Sequence, residues 1–221
     1  MINIAVLGYG TVGSGVVEVI RTNHELINKR AGEEIKIKYV LDLREFPGDP
    51  VEEILVHDFE QIVNDPEVKI VVEVMGGTGA AYTFTKRALE AGKSVCTSNK
   101  ALVAKYGPEI ISAAKDNCSL FLYEAAVGGG IPIITPMIEN LIANQITEIR
   151  GIMNGTSNYI LTKMKEDKLD FEEALHLAAE MGYAEADPSY DVDGIDAGHK
   201  IAILSSLAYG GYINFSEVYL Q

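Results

Sequence analysis

The sequence predicts an α/β protein: a doubly wound, mainly parallel sheet followed by a smaller α+β region. Three observations carry this expectation. Short apolar runs alternate with segments of helical periodicity from Ile2 to about Tyr123, the signature of successive strand–helix–strand units. The first apolar run passes directly into a glycine turn, Gly8-Tyr-Gly10-Thr-Val-Gly13. Beyond Gly130 the alternation stops, which places a boundary between residues 1–130 and 131–221.

Bulk properties narrow the function classes. A chain of 221 residues can bury a sizeable core as one large domain or two small ones. Hydrophobic content of 48% and a mean hydropathy of +0.11 describe a soluble globular protein. The formal charge of −14 argues against nucleic acid, whose binding needs clustered Lys and Arg. No apolar run is long enough to span a bilayer, and the N-terminal apolar residues run into glycines rather than a cleavage site. The two cysteines, Cys96 and Cys118, form no CxxC pair, which suits core packing in a reducing compartment. The expected location is cytoplasmic.

Ile2 to Leu7 reads as the first strand, and Val16, Val17 and Ile20 mark the helix after the turn. Gly8 permits the tight turn and Gly10 lets the backbone approach a pyrophosphate. Gly13 allows the helix to pack close to the strand, and Thr11 and Val12 open the helix whose N-terminus faces the anion. Together they form the strand, turn and helix of a Rossmann dinucleotide-binding unit. A tight βα turn without a ligand is the plainer alternative. Ile35 to Leu41 alternates as a second strand and ends at Asp42. An acid there accepts from a ribose 2′-hydroxyl and favours NAD, whereas Arg44 would meet a 2′-phosphate, so the choice stays open. Glu45 to Glu53 is expected as an exposed, turn-rich loop.

Phe59, Ile62 and Val63 predict a short helix stopped by Asn64-Asp65-Pro66, and Val68 to Val74 a buried strand. Gly76-Gly77 follows at the carboxyl end of that strand, where open α/β sheets bind ligands. A helix over about Ala80 to Ala91 and a strand Ser94 to Thr97 come next, and Lys100 lies just past that strand's carboxyl end. A helix through Ile110 to Ala114 and a strand Ser119 to Tyr123 complete the alternation before Glu124 to Pro132, whose glycines permit close main-chain approach to a ligand or ion. Beyond the boundary the pattern predicts a long helix Ile133 to Ala143, then a strand-like Gln145 to Met153. Helices over Tyr159 to Lys165 and Phe171 to Met181 follow, with Gly182 as the residue that ends the second.

The segment Gly182 to Lys200 gathers Glu185, Asp187, Asp191, Asp193, Asp196 and Lys200 between apolar helical patterns. Asp191-Val-Asp193-Gly194 resembles part of a calcium loop, but setting Gly194 sixth makes Lys200 twelfth, where a cation repels the metal. His24, His57, His176 and His199 show no pair at ligand spacing, so a catalytic zinc is not expected. Asp196 and Lys200 at i,i+4 spacing read most simply as a surface pair worth about 0.3–0.5 kcal/mol. Against that, Ile201, Ile203 and Leu204 follow at once, so the helix is apolar enough to be buried on several sides. A lysine beside acids at the mouth of a cleft has the chemistry of a general acid/base.

These residues resemble the homoserine dehydrogenase family. The likeness rests on Ala178, Gly182-Tyr183-Ala184, Asp187-Pro188, Asp191-Val192, Gly194, Asp196 and Lys200. It is supported in order by Gly8 to Gly13, Met75-Gly76-Gly77, Ser98 to Leu102, Glu124 to Pro132 and Asn154 to Tyr159. The resemblance implies NAD- or NADP-dependent interconversion of L-homoserine and L-aspartate 4-semialdehyde, with Lys200 as acid/base and Lys100 as a second lysine near the reacting oxygen. It implies that Glu185 and Asp196 hold the substrate ammonium, that Asp191 orients lysine and water, and that Thr156 and Tyr183 shape the pocket. Gly76, Gly77, Lys100 and Gly182 join the cofactor set by the same carry-over. Glu124 and the carbonyls of Val127, Gly129 and Ile131 would surround a structural sodium ion, and the region 131–221 would mediate a homodimer. Family members run on past position 221, so an incompletely closed cofactor cleft and weak activity of these residues alone are expected. In the sequence as read, no kinase segment precedes Met1 and no regulatory domain follows, so feedback control is not expected.

Two alternatives carry different expectations. Aspartate-semialdehyde dehydrogenase would need an activated cysteine, and neither Cys96 nor Cys118 has that context. A nucleotide-sensing regulator would usually add a basic DNA-binding segment, and none is visible.

Overall fold

The structure, a computed structural model, describes residues 1–184 and 188–220. The chain forms two compact units, Met1–Ile133 and Ile134–Gln221.

The first unit alternates strands and helices, apart from two helices and then two strands in succession near its start: β1 (Ile2–Leu7), α1 (Thr11–Thr22), α2 (His24–Ala31), β2 (Ile35–Leu41), β3 (Leu55–Val56), α3 (Glu60–Val63), β4 (Val68–Glu73), α4 (Gly79–Glu90), β5 (Ser94–Thr97), α5 (Lys100–Asp116) and β6 (Phe121–Leu122). All pairings are parallel and the order is β3-β2-β1-β4-β5-β6. The chain leaves β1 toward β2 on one side and later returns to lay β4 on the other. This reversal of strand order creates a crevice at the carboxyl ends of β1 and β4, the ligand-binding position of such sheets.

Both faces of the sheet are covered, which explains why the central β1 reads as a nearly continuous apolar run, whereas β2, beside the two-residue β3, keeps its alternation. Ala5 and Leu7 of β1 pack with Ala88 and Leu89 of α4 and with Leu102 and Ile110 of α5. Ile4 and Val6 point the other way, toward Val17 of α1, Val40 and Val51. Leu89 is fully buried, and truncating such a side chain to alanine typically costs about 2–5 kcal/mol.

Several expectations changed here. The loop 45–53 runs into a 3-10 turn, Pro50–Ile54, whose Val51 is wholly buried. Its apolar side chain closes the α1 face of the sheet, so the segment is not merely an exposed connection. The final strand is only Phe121–Leu122. Cys118 is exposed rather than packed in the core, on a turn with φ of 51°.

The second unit is helical among its described residues: α6 (Gly155–Glu166), α7 (Phe171–Glu180), α8 (Ser189–Val192) and α9 (Ile195–Tyr209). The long helix expected over Ile133 to Ala143 is reduced to a short turn with a wide π-type segment at Pro136–Asn140. Pro136 stands in the first turn of this segment, where its missing N–H is tolerated, and the segment closes at Leu141, whose N–H donates to the Pro136 carbonyl. Gln145 to Met153 forms no strand, because no other described segment of this unit pairs with it. Apolar alternation suits a strand, but a ladder partner makes one.

The helices of this unit are well signalled. Asp170 and Glu173 form a reciprocal capping box at the start of α7, and Gly182 at φ 74° follows its end. Ile160 of α6 and Ala174 and Ala178 of α7 form the buried contact between these two helices. In α9, a Cβ added to Gly198 would lie 2.8 Å from both Leu220 Cδ2 and Phe215 Cε2, so the closing segment packs directly on the helix backbone.

Candidate functional site

At the crevice of the first unit, Gly8 adopts φ 97°, outside the range that L side chains normally adopt. A Cβ on Gly13 would sit 1.9 Å from the Gly8 carbonyl oxygen, so the helix packs on the turn only because no side chain intervenes. Gly10 caps α1 without a side-chain bond, and a Cβ there would meet nothing within 4 Å. Thr11 and Val12 form the first turn of α1. A cleft of about 560 Å³ opens beside this turn, lined in part by Gly8, Gly10, Asp42, Arg44, His57 and Gly76. Its volume lies within the range of small-ligand and cofactor sites.

Asp42 and Arg44, two readings of one ribose in the sequence, are bonded to each other. Arg44 donates from Nε to Oδ1 and from Nη2 to Oδ2 of Asp42, each at 2.9 Å. The backbone N–H of Tyr9 donates to Asp42 Oδ2 at 2.8 Å, which ties the acid to the glycine turn. The guanidinium holds the Asp42 carboxyl well below the usual carboxylate range. His57, which the sequence reading did not single out for this site, places Nδ1 2.6 Å from the Asp42 carbonyl and Nε2 3.0 Å from Glu45. The bond to that carbonyl raises the His57 pKa.

The loops after β4 and β5 carry Gly76, Gly77 and Lys100. Gly77 has φ 73°. Lys100 is half-buried at the first turn of α5, whose N-terminus is capped by the Asn99 side chain accepting from Leu102 N. The Asn99 amide donates to the Gly77 carbonyl at 2.7 Å, so the two loops are joined. Glu73 at the end of β4 is wholly buried and was read only as part of an apolar strand. Burial pushes its carboxyl up, against the hydrogen bonds it accepts.

Glu124 opens a short turn, Glu124–Ala126, and its Oε1 accepts from Ile133 N at 2.6 Å. That bond folds the segment containing Val127, Gly129 and Ile131 back on itself. A Cβ on Gly128 would lie 3.2 Å from the Ile131 carbonyl oxygen, so the loop is tight.

In the second unit, Asn154 organises the acidic residues. Its side-chain oxygen accepts from Ser157 N and caps α6. Its amide donates to Asp191 Oδ1 at 2.7 Å and to Asp196 Oδ2 at 3.1 Å. Lys200 Nζ lies 2.9 Å from Asp196 Oδ2 and 2.8 Å from the Met153 carbonyl oxygen. The pair is not the solvated surface contact that spacing alone suggests: the Asp196 side chain is 9% exposed and that of Lys200 19%. Ser157 Oγ donates to the Asp191 carbonyl, and Thr156 Oγ1 to the Tyr183 carbonyl at 2.7 Å. Thus Asp191, Asp196, Lys200, Thr156 and Tyr183 are linked through the Asn154–Ser157 turn. Gly182 lies at the end of α7. Glu185, and Asp187 with it, fall outside the described residues. Asn154 is the member to which sequence reasoning gave no role, although an N-cap type just before a helical pattern was a legible signal.

Burial pushes the Cys96 thiol up, which opposes its use as a nucleophilic thiolate. Among the described residues no group of three His, Cys, Asp or Glu side chains is placed to hold a metal, and no helix is long and apolar enough to cross a membrane.

Strand order, glycine turn and crevice together define a Rossmann-type dinucleotide-binding protein. Residues 8–124 match the family model described as homoserine dehydrogenase, NAD binding domain, and residues 132–221 the one described as homoserine dehydrogenase. A homoserine dehydrogenase of Neisseria gonorrhoeae is 46% identical over 222 aligned residues, covering 100% of this chain and 51% of the relative. The crystal structure of a homoserine dehydrogenase from Thiobacillus denitrificans superposes with a TM-score of 0.92 at 44% identity, over 100% of this chain and 52% of that one. A hyperthermophilic archaeal homoserine dehydrogenase in complex with NADPH gives a TM-score of 0.82 at 29% identity, covering 99% and 75% of the two chains. The chain belongs to the homoserine dehydrogenase family. It spans about half the length of the curated relatives it matches.

Proposed function

We propose that this chain carries the cofactor-binding and acid/base machinery of a homoserine dehydrogenase. The reaction interconverts L-homoserine and L-aspartate 4-semialdehyde within the aspartate-derived route to threonine, methionine and isoleucine. The observation that supports this reading best is the half-buried Asp196–Lys200 pair at 2.9 Å, in a chain whose other unit has a dinucleotide crevice.

A bound nicotinamide supplies the acceptor or donor of hydride at the substrate's terminal carbon. Every other task falls to side chains. Lys200 exchanges the proton of the substrate's terminal oxygen, held in place by Asp196 and the Met153 carbonyl. Asp196, with Glu185, provides the negative charge that an amino-acid ammonium requires. Asp191, fixed by Asn154, orients the lysine and its water. Lys100 adds a second positive charge near the reacting oxygen, and Thr156 and Tyr183 shape the pocket.

On the cofactor, Gly8, Gly10, Thr11, Val12 and Gly13 receive the pyrophosphate at the start of α1. The Asp42–Arg44 pair supports NADP over NAD. A ribose 2′-hydroxyl would have to displace Arg44 from Asp42, whereas a 2′-phosphate would add to the guanidinium. The NADPH named for the archaeal relative agrees with that preference. Glu124, Val127, Gly129 and Ile131 would hold a sodium ion that stiffens the loop leading out of the first unit. Assembly as a homodimer through 131–221 and a cytoplasmic location belong to the same reading.

The test is homoserine-dependent reduction of NADP and of NAD at alkaline pH, on this chain and on a version extended to the length of its relatives. Turnover by the extended protein and its loss in a folded Lys200→Ala variant are expected. Near-normal turnover in folded Lys200→Ala would overturn the acid/base assignment.

A further inference from the structure

Glu73 is a carboxyl group with no exposed surface at the end of the central strand β4. Burying such a group is costly unless donors surround it, and an apolar residue of similar size would stabilise the sheet as well or better. Its placement therefore calls for a reason beyond packing. Its partners lie in the two loops of the ligand-binding edge. Met75 N donates to Oε1 at 2.8 Å, and Thr97 Oγ1 on the adjacent strand donates to Oε2 at 2.5 Å. Thr97 Oγ1 in turn accepts from Asn99 N at 2.9 Å. Asn99 caps the helix that begins at Lys100 and donates to the Gly77 carbonyl. One carboxyl thus anchors the Met75–Gly77 loop directly and the Ser98–Lys100 loop through the Thr97 hydroxyl, with the Asn99 side chain also against it.

We propose that Glu73 is a positioning residue for the nicotinamide-nucleotide site, locking the loops after β4 and β5 into register through Met75 N and the Thr97–Asn99 relay. It rests on the reading that this edge binds the cofactor. Glu73 touches no ligand; it sets where Gly76, Gly77 and Lys100 stand. Without the anchor, the loops keep their sequence and lose their fixed spacing.

The experiment compares wild type, Glu73→Gln, Glu73→Ala and Thr97→Val by thermal unfolding, by amide hydrogen exchange over residues 74–79 and 98–103, and by NADPH titration. Thr97→Val preserves the shape of the strand and cuts the relay, so it tests the idea even if Glu73→Ala does not fold. Faster exchange in both loops and NADPH affinity about ten-fold weaker are expected for Thr97→Val and Glu73→Ala, the scale of one lost buried hydrogen bond. Glu73→Gln, which keeps an acceptor for Met75 N and a hydrogen-bonding atom for Thr97, should restore affinity to within about three-fold. Unchanged exchange in folded Thr97→Val overturns the anchor, and faster exchange with unchanged NADPH affinity overturns the positioning role. If the wild type binds neither NADPH nor NADH, the cofactor reading itself fails and takes that role with it, while the exchange data still decide the anchor.

Discussion

Asn154 donates its side-chain amide to the carboxylate of Asp191 across 2.7 Å, joining the start of α6 to α8. The same amide reaches Asp196 at 3.1 Å, so one neutral group bridges two acids that would otherwise repel. Asn154 also caps α6 through its oxygen. Asn154→Ser should keep the cap and lose the bridge, whereas Asn154→Ala loses both. We expect Asn154→Ala to destabilise by about 1 kcal/mol more than Asn154→Ser, the worth of an N-cap. On the proposed function, both should lower homoserine oxidation by the extended protein about ten-fold or more, through the lost bond to a charged group. Thermal unfolding and steady-state turnover separate the two effects. Equal turnover in wild type and Asn154→Ser would remove Asn154 from the machinery.

Arg44 and Asp42 offer a test of cofactor choice. Arg44→Ala removes the cation and opens one acceptor position on each Asp42 oxygen for a ribose hydroxyl, while Tyr9 N still donates to Oδ2. The KM for NADP should rise about ten-fold while that for NAD stays level or falls. A parallel rise for both cofactors would show that Arg44 serves the fold of the turn, through its bond to the Tyr9 carbonyl, rather than discrimination.

The same pair makes stability depend on pH. The guanidinium depresses the Asp42 pKa in the folded chain, so its contribution is complete above the ordinary aspartate range. That contribution is lost as pH falls from about 4 toward the depressed value, because the unfolded chain then binds the proton first. Asp42→Asn should have a smaller difference in Tm between pH 7 and pH 3 than wild type. An identical difference would mean that the pair adds nothing to acid stability.

Two glycines of one turn should respond in opposite ways. Gly13→Ala drives a Cβ to 1.9 Å from the Gly8 carbonyl oxygen, and we expect a loss of about 3 kcal/mol, at the upper end for overpacking. Gly10→Ala meets open space, so Tm should change little while the methyl obstructs the pyrophosphate and weakens dinucleotide binding. Fluorescence titration with NADPH, beside thermal melts, reads both.

The first unit was largely legible before any coordinates. β1, β2 and β5 fall on the residues that apolar pattern alone marked, and the glycine turn lies where its spacing put it. The reason is physical: a central strand such as β1, buried on both faces, is nearly all apolar, β2 nearer the edge alternates, and the helices between carry one apolar stripe. The second unit was less legible. Gln145 to Met153 alternates like a strand and has no ladder, because pairing depends on a partner that local pattern does not supply. The long helix over Ile133 to Ala143 is only the short segment Pro136–Asn140 with one turn before it.

The candidate sites divide the same way. Sequence by itself determined the class of fold, the family, and the residues proposed to meet cofactor and substrate: glycines, Asp42, Arg44, Lys100, Asp191, Asp196 and Lys200. These are local choices, each constrained by the turn, cap or charge at its own position. Only the tertiary structure decided that Arg44 occupies Asp42, that Asn154 bridges Asp191 and Asp196, and that Glu73 is buried beneath two loops. Glu73 and Thr97 lie on neighbouring strands, and Asn154 is far from Asp196 along the chain. Their hydrogen bonds exist because packing brings distant segments within 3.1 Å, a distance that no periodicity in the sequence encodes.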